Sequence, residues 1–161
     1  MRIGLKRKRG FTLLELAIAV VLLVLLMMLA VPSMSGVLAD RRLRKSLDSF
    51  NAIVREAQQR SMAERRPYLI VWMDKGIGLR PEGLLRGESP EPELKMKIAK
   101  NESFRIFFPA ALVDDAPAEW IFWPSGNCEP ATVTYQGRDG KWTANYSALT
   151  ARSETVSYVA K

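Results

Sequence analysis

Between Phe11 and Val31 the chain is almost entirely hydrocarbon. Fourteen of these positions are Phe, Leu, Ile or Val, and Met27 and Met28 extend the apolar surface. One carboxylate, Glu15, interrupts the run near its start. On insertion scales each strongly apolar residue contributes roughly −0.3 to −0.6 kcal/mol at the membrane centre, and an acid there costs about 3 kcal/mol. The apolar total is then roughly −4 to −8 kcal/mol, so Glu15 does not cancel it. Residues 11–31 are expected to cross a bilayer as one helix.

The charges flanking this run set its direction. Arg2, Lys6, Arg7, Lys8 and Arg9 place five positive charges in the first ten residues. Residues 11–39 contribute −1, residues 40–66 contribute +4 and residues 67–161 contribute −1, giving the net charge of +7. A basic flank stays on the cytoplasmic side, so the C-terminal part is expected across the membrane. Without the first ten residues the chain carries only +2, which leaves no obvious nucleic-acid footprint. Nucleic acid is therefore not an expected partner.

Two ordinary readings of the run are available. A secretory signal peptide has an apolar region of about 7–15 residues ending at small residues, shorter than this one and without an acid. A plain single-pass anchor accounts for the length and leaves Glu15 unexplained. An ionisable residue within a span is a functional-site hypothesis that needs a partner.

The helix is expected to continue. Pro32 removes one backbone hydrogen bond and bends it, which membrane helices tolerate. Beyond Ser33–Gly36, the residues Leu43, Leu47, Phe50, Val54 and Ala57 recur at helical spacing, while Arg41, Arg42, Arg44, Lys45, Arg55 and Arg60 lie off that stripe. Residues 32–66 thus form an amphipathic extension, stopped by Pro67.

Gly10-Phe11-Thr12-Leu13-Leu14-Glu15, after a short basic leader and before about twenty apolar residues, resembles the processing signal of type IV pilins and type II secretion pseudopilins. The resemblance implies that a prepilin peptidase removes residues 1–10 by cutting between Gly10 and Phe11. It also implies N-methylation of the new terminus at Phe11 and an inner-membrane protein with a periplasmic globular domain. Pro32 stands where many family members carry a helix-breaking proline. The family supplies a partner for Glu15: the Phe11 amine of a neighbouring subunit, created by cleavage at membrane depth. In a low dielectric an unpaired charge costs several kcal/mol and a matched pair recovers much of that, so the pair acts as a register lock. The implied partners are other pilins or pseudopilins, the peptidase, an inner-membrane assembly platform and membrane lipid.

From Pro67 the hydrophobic period changes. Strands are expected at 68–73, 94–98, 103–108, 119–123, 132–135, 141–146 and 155–159. Asp74–Gly78 supplies turn residues, and Asp139-Gly140 supplies turn chemistry for a hairpin over Gln136–Gly140. The segment 119–123 is apolar on both faces and is expected to be central and covered. The fold class expected for the whole is α+β: a long N-terminal helix, transmembrane then amphipathic, packed on antiparallel β-sheets formed by residues 67–161. Residues 80–93, rich in Pro, Gly and Glu, are expected as a mobile surface loop or a partner-contacting one. Phe122-Trp123-Pro124-Ser125-Gly126 before the 132–135 strand is similar to the C-terminal pattern of H-class minor pseudopilins.

Catalytic constellations are missing from the sequence. It contains no histidine, so the commonest general base and metal ligand is absent, and Cys128, the single cysteine, has no such partner. Asp114 and Asp115 are adjacent and expected in a loop near Pro117. No phosphate-cradling glycine loop and no metal-ligand spacing occur, so no cofactor and no metal are expected. Trp120, Phe122 and Trp123 are buried strand residues on this reading rather than an aromatic binding strip.

The leading expectation is a non-enzymatic minor pseudopilin of a type II secretion system. A minor type IV pilin, with pilus assembly or DNA uptake as its role, is the alternative. In the tail Arg152 and Lys161 are offset by Glu154, and Arg138 and Lys141 add a little hairpin charge. A membrane-tethered enzyme or sensor would instead make Gly10 and Glu15 dispensable.

Overall fold

The computed structural model describes residues 12–109 and 119–161, with the side chains of residues 29–35 outside that description. The chain divides into two units, residues 1–38 and 39–161. One helix, α1, runs Leu13–Glu64. Thr12 starts it: its Oγ1 accepts the Glu15 amide at 3.2 Å and its carbonyl accepts the Leu16 amide at 3.2 Å. A hydroxyl that satisfies a first-turn N–H is an N-cap. The helix assignment continues through position 32, although the Pro32 side chain itself lies outside the described set. At the far end Arg65 adopts φ 53° and the Arg66 amide donates to the Ser61 carbonyl at 3.3 Å. That is a left-handed helix stop of the Schellman kind, here built without glycine.

In the second unit eight strands follow: β1 (Tyr68–Met73), β2 (Gly76–Pro81), β3 (Glu93–Lys97), β4 (Ser103–Phe107), β5 (Glu119–Phe122), β6 (Ala131–Gly137), β7 (Gly140–Tyr146) and β8 (Ser153–Ala160). They form two four-stranded sheets, ordered β3-β2-β1-β5 and β4-β6-β7-β8. Every neighbouring pair is antiparallel. The α+β class with antiparallel sheets against the helix is as expected.

The core forms where the amphipathic stripe of α1 meets the inner sheet faces. Leu43, Phe50, Val54 and Ala57 are buried and Leu47 is partly so, while Ile53 and Ser61 widen the stripe. The Phe50 ring lies 5.5 Å from Phe104, 5.9 Å from Tyr146, 6.0 Å from Trp142 and 6.2 Å from Trp72, centre to centre. Buried aromatics with polar tips need partners; the helix provides them for Trp142 and Tyr146, while Trp72 Nε1 is buried without one among the described residues. Trp142 Nε1 donates to Ser46 Oγ at 2.8 Å, and the Tyr146 hydroxyl donates to Asn51 Oδ1 at 2.7 Å. These bonds fix which helix residues face the sheet.

Three local expectations are corrected. First, β2 occupies residues expected as turn and loop. Gly76 and Gly78 obscure it in the sequence, yet a Cβ at Gly76 would strike the Met96 carbonyl and one at Gly78 would strike Met73 and Pro92. The glycines mark a close approach of β3, with a register shift between Ile77 and Gly78. Second, β5 is an edge strand, not a central one. Its outer side is covered by the returning chain: Trp123 N–H donates to the Asn127 carbonyl at 2.9 Å, Glu129 N–H to the Ile121 carbonyl at 3.3 Å, and Phe122 bridges Cys128. That cover permits apolar residues on both faces. Third, the hairpin turn is Arg138–Asp139, since Gly137 pairs with Gly140. Gly140 opens β7 at φ 145°, where a Cβ would meet the Val159 carbonyl.

Phe50→Ala should destabilise the chain by about 3–5 kcal/mol, because the vacated ring site is walled by four other aromatics that cannot all move in. Urea unfolding followed by tryptophan fluorescence measures this.

Candidate functional site

The first unit is defined by what its helix leaves uncovered. From Leu13 to Met28 the described side chains are exposed, with Leu13 at 89% and Met28 at 70%. Apolar residues occupy every side of the helix, whereas a surface helix of a water-soluble fold would show one stripe. Among the described residues no helix is long and apolar enough to cross a membrane. The unbroken run of described apolar side chains stops at Met28, short of the roughly twenty positions a span requires, while the sequence carries the run on to Val31.

Glu15 is exposed in the first turn of α1. Its own amide is the one held by Thr12, so Thr12-x-x-Glu15 has the spacing of a capping box. Thr12 is a site residue that reading for apolar periodicity passes over, although the Thr-x-x-Glu spacing was there to find. Gly10 and Phe11 lie outside the described residues, so the cleavage site and the amine proposed to meet Glu15 do too.

The other sequence candidates resolve into structure. Trp120 and Phe122 are fully buried, and Trp120 Nε1 donates to the Glu129 carbonyl at 2.7 Å. The turn Trp123–Gly126 docks on α1: Ser61 Oγ donates to the Trp123 carbonyl at 3.1 Å and Gln58 Nε2 to the Gly126 carbonyl at 2.5 Å. Cys128 is buried. Burial first, then the Glu129 carboxylate, push its thiol up to about 12, so it is an inert structural residue. Asp114 and Asp115 fall outside the described residues. No group of three or more His, Cys, Asp or Glu that could hold a metal occurs among the described residues. The groove along Asn51, Arg55, Gln58 and Arg152, about 490 Å³, is open and pairs no nucleophile with a base.

The loop after β2 is clasped to the end of α1. Arg66 donates to both Glu88 carboxylate oxygens at 2.6 Å and to Glu64 at 2.5 and 2.8 Å. Glu88 in turn accepts the Leu85 amide at 2.8 Å. Arg66 first, and the Leu85 amide second, hold the Glu88 carboxyl down to about 2. A two-pronged guanidinium–carboxylate contact is geometrically specific, so this segment is tied to the end of α1 at Glu88. Leu84 and Leu85 stand exposed on it at 45% and 64%.

Residues 5–31 match the prokaryotic N-terminal methylation motif. The second unit, two antiparallel sheets packed on its helix, has a solved counterpart. The type IV minor pilin FimU of Pseudomonas aeruginosa PAO1 is similar, with a TM-score of 0.51 over 71% of this chain and 88% of that one, at 16% identity. The fold is type IV pilin-like. The minor pseudopilin EpsH from the Type 2 Secretion System of Vibrio cholerae is also similar, at a TM-score of 0.48 and 11% identity over 70% of this chain and 94% of that one. Such identities speak for fold alone. No curated protein sequence matches the pilin-like chain.

Two outcomes are expected here. Cys128 should resist iodoacetamide at pH 8 in the folded chain and react once urea is added. Arg66→Gln should open the clasp and speed tryptic cleavage after Arg86, with little change in the global melting temperature. For pH, Glu88 has a folded value of about 2 against roughly 4.3 unfolded, so its contribution is present above about pH 4 and lost toward pH 2. The Leu85 amide resonance should follow that titration.

Proposed function

We propose that this chain is a non-enzymatic filament subunit, anchored in the inner membrane and assembled through its N-terminal helix, with residues 67–161 in the periplasm. The carrying observation is the methylation motif at residues 5–31 joined to a helix whose described apolar residues are exposed on every side. Such a surface is stable only in lipid or against other helices. Residues 1–10 are the leader, 11–31 span the membrane and Pro32 bends the helix where it leaves. Cleavage after Gly10 by a prepilin peptidase and methylation of Phe11 follow from the motif's chemistry. The Phe11 amine of one subunit pairs with Glu15 of the next, setting the register between helices.

Within this class we assign the chain to a type II secretion pseudopilus as a minor pseudopilin, working with other pseudopilins and an inner-membrane platform. The support is the Phe122–Gly126 turn, docked on α1 through Ser61 and Gln58, which resembles the H-class pattern. The second reading, a minor type IV pilin, is favoured by the fold likeness to FimU.

Membrane-extracted protein should show an intact mass lacking ten residues and carrying one extra methyl. An unprocessed mass would overturn the filament reading. Glu15→Gln separates two roles of the acid: glutamine preserves the capping spacing but removes the charge. Incorporation into sheared filaments is expected to fall at least tenfold, and wild-type incorporation would refute the ion pair. Deleting the gene should block export of secreted enzymes and spare surface pili if the chain is a pseudopilin, with the reverse pattern for a pilin.

A further inference from the structure

Three separate stretches of sequence bring positive charge to one end of the second unit. Arg41, Arg42, Arg44 and Lys45 are exposed on α1. Arg138 and Lys141 flank the β6–β7 turn, and Lys161 follows β8; all three are exposed. The fold joins them. Arg42 Nη1 lies 3.6 Å from Asp139 Oδ1, and the Lys161 amide donates to the Asp139 carbonyl at 3.0 Å. Tyr158 of β8 donates to Asp40 Oδ1 at 2.9 Å, and Arg44 lies over the Tyr158 ring at 5.8 Å. The side-chain carboxylates at this end are Asp40, paired with Arg44 at 2.9 Å, Asp139, and Glu102, which accepts from the Tyr135 hydroxyl at 2.9 Å. Asp48 lies a turn further along the helix. Among the described residues, cations therefore exceed acids here, and most carry no ion pair.

The place of Arg41–Lys45 in the sequence suggests the ligand. Between Glu15 and Asp40 the chain carries no charge for 24 residues, Leu16–Ala39, enough for a helical crossing of a hydrocarbon core of about 30 Å. Arg41, Arg42, Arg44 and Lys45 are the first cations after that stretch, so in a membrane-anchored chain they are the first to follow the span.

We propose that Arg41, Arg42, Arg44, Lys45, Arg138, Lys141 and Lys161 form a collar that binds anionic phospholipid headgroups of the periplasmic leaflet. This rests on the membrane-anchored reading above. A phosphate layer explains why exposed cations from residues so distant in sequence collect at this end: each contact gains charge-assisted hydrogen bonds and anionic surface attraction.

The test uses the full chain in nanodiscs of mixed phosphatidylcholine and phosphatidylglycerol, with retained lipids counted by native mass spectrometry. Wild type is expected to retain phosphatidylglycerol in preference. Arg41→Gln/Arg42→Gln/Lys141→Gln/Lys161→Gln should cut that preference about fivefold for each cation that touches lipid. Arg41→Lys/Arg42→Lys should keep it, which separates charge from misfolding. Both chains share the same leader, so its contribution cancels. An unchanged ratio in the glutamine variant overturns the collar. So does a ratio at parity in wild type combined with a gel shift of duplex DNA, which would assign the cations to nucleic acid. Extraction of the chain from vesicles by alkaline carbonate would instead sink the membrane reading itself, a separate outcome.

Discussion

The second unit depends on Phe50. Its ring sits on the apolar stripe of α1 and touches residues from both sheets: Trp72 from one, and Phe104, Trp142 and Tyr146 from the other. Two small antiparallel sheets have no strand in common. The helix packs against both, and the sheets also meet directly where the Trp120 ring lies 5.0 Å from Tyr146; the Ser46 and Asn51 hydrogen bonds tie the helix to β7. Aromatic pairs in such geometry add about 0.5–1.5 kcal/mol beyond area burial, so this cluster outweighs any surface ion pair. The consequence is mechanical: a force carried by the helix is passed to both sheets through one packed region.

The period of apolar residues made much of this legible. Leu43, Phe50, Val54 and Ala57 were readable as a core stripe because a helix buries one side against a sheet, and they are buried. The strands at 103–108 and 141–146 were readable because alternation there is nearly strict, and 68–73 because it is an unbroken apolar run before turn residues. Strand β2 was not, because Gly76 and Gly78 have no side chains to alternate and are required by contacts with β3. The edge position of β5 was hidden for a different reason. Its outer cover comes from residues 127–129, a non-local partner that no window on 119–123 contains. The clasp of Arg66 on Glu88 also joins residues 22 apart; composition marked the segment as loop and could not say that it was tied.

The N-terminal motif was legible for a stronger reason. A charge in a long apolar run is improbable unless something answers it, and Glu15 lies within the residues 5–31 that match the methylation motif. Thr12 was overlooked because reading for hydropathy treats a hydroxyl as a minor blemish. In the structure that hydroxyl starts the helix.

Thr12 and Glu15 together suggest how one short stretch can serve two states. In the single subunit Thr12 holds the Glu15 amide, and an acid in the first turn faces the positive end of the helix dipole, worth about 0.3–1 kcal/mol. That interaction is available before cleavage and needs no neighbour. On the proposed reading, cutting after Gly10 creates an ammonium one residue before the cap, and the carboxylate can then be shared with another helix. The helix-dipole interaction makes the acid less costly while the subunit waits in lipid. The assembly role requires only that the neighbour's ammonium be a better partner than the helix end. A full opposite charge in a low dielectric outweighs the half-charge of a helix terminus, so the exchange runs toward the filament and the same residue need not move far to make it.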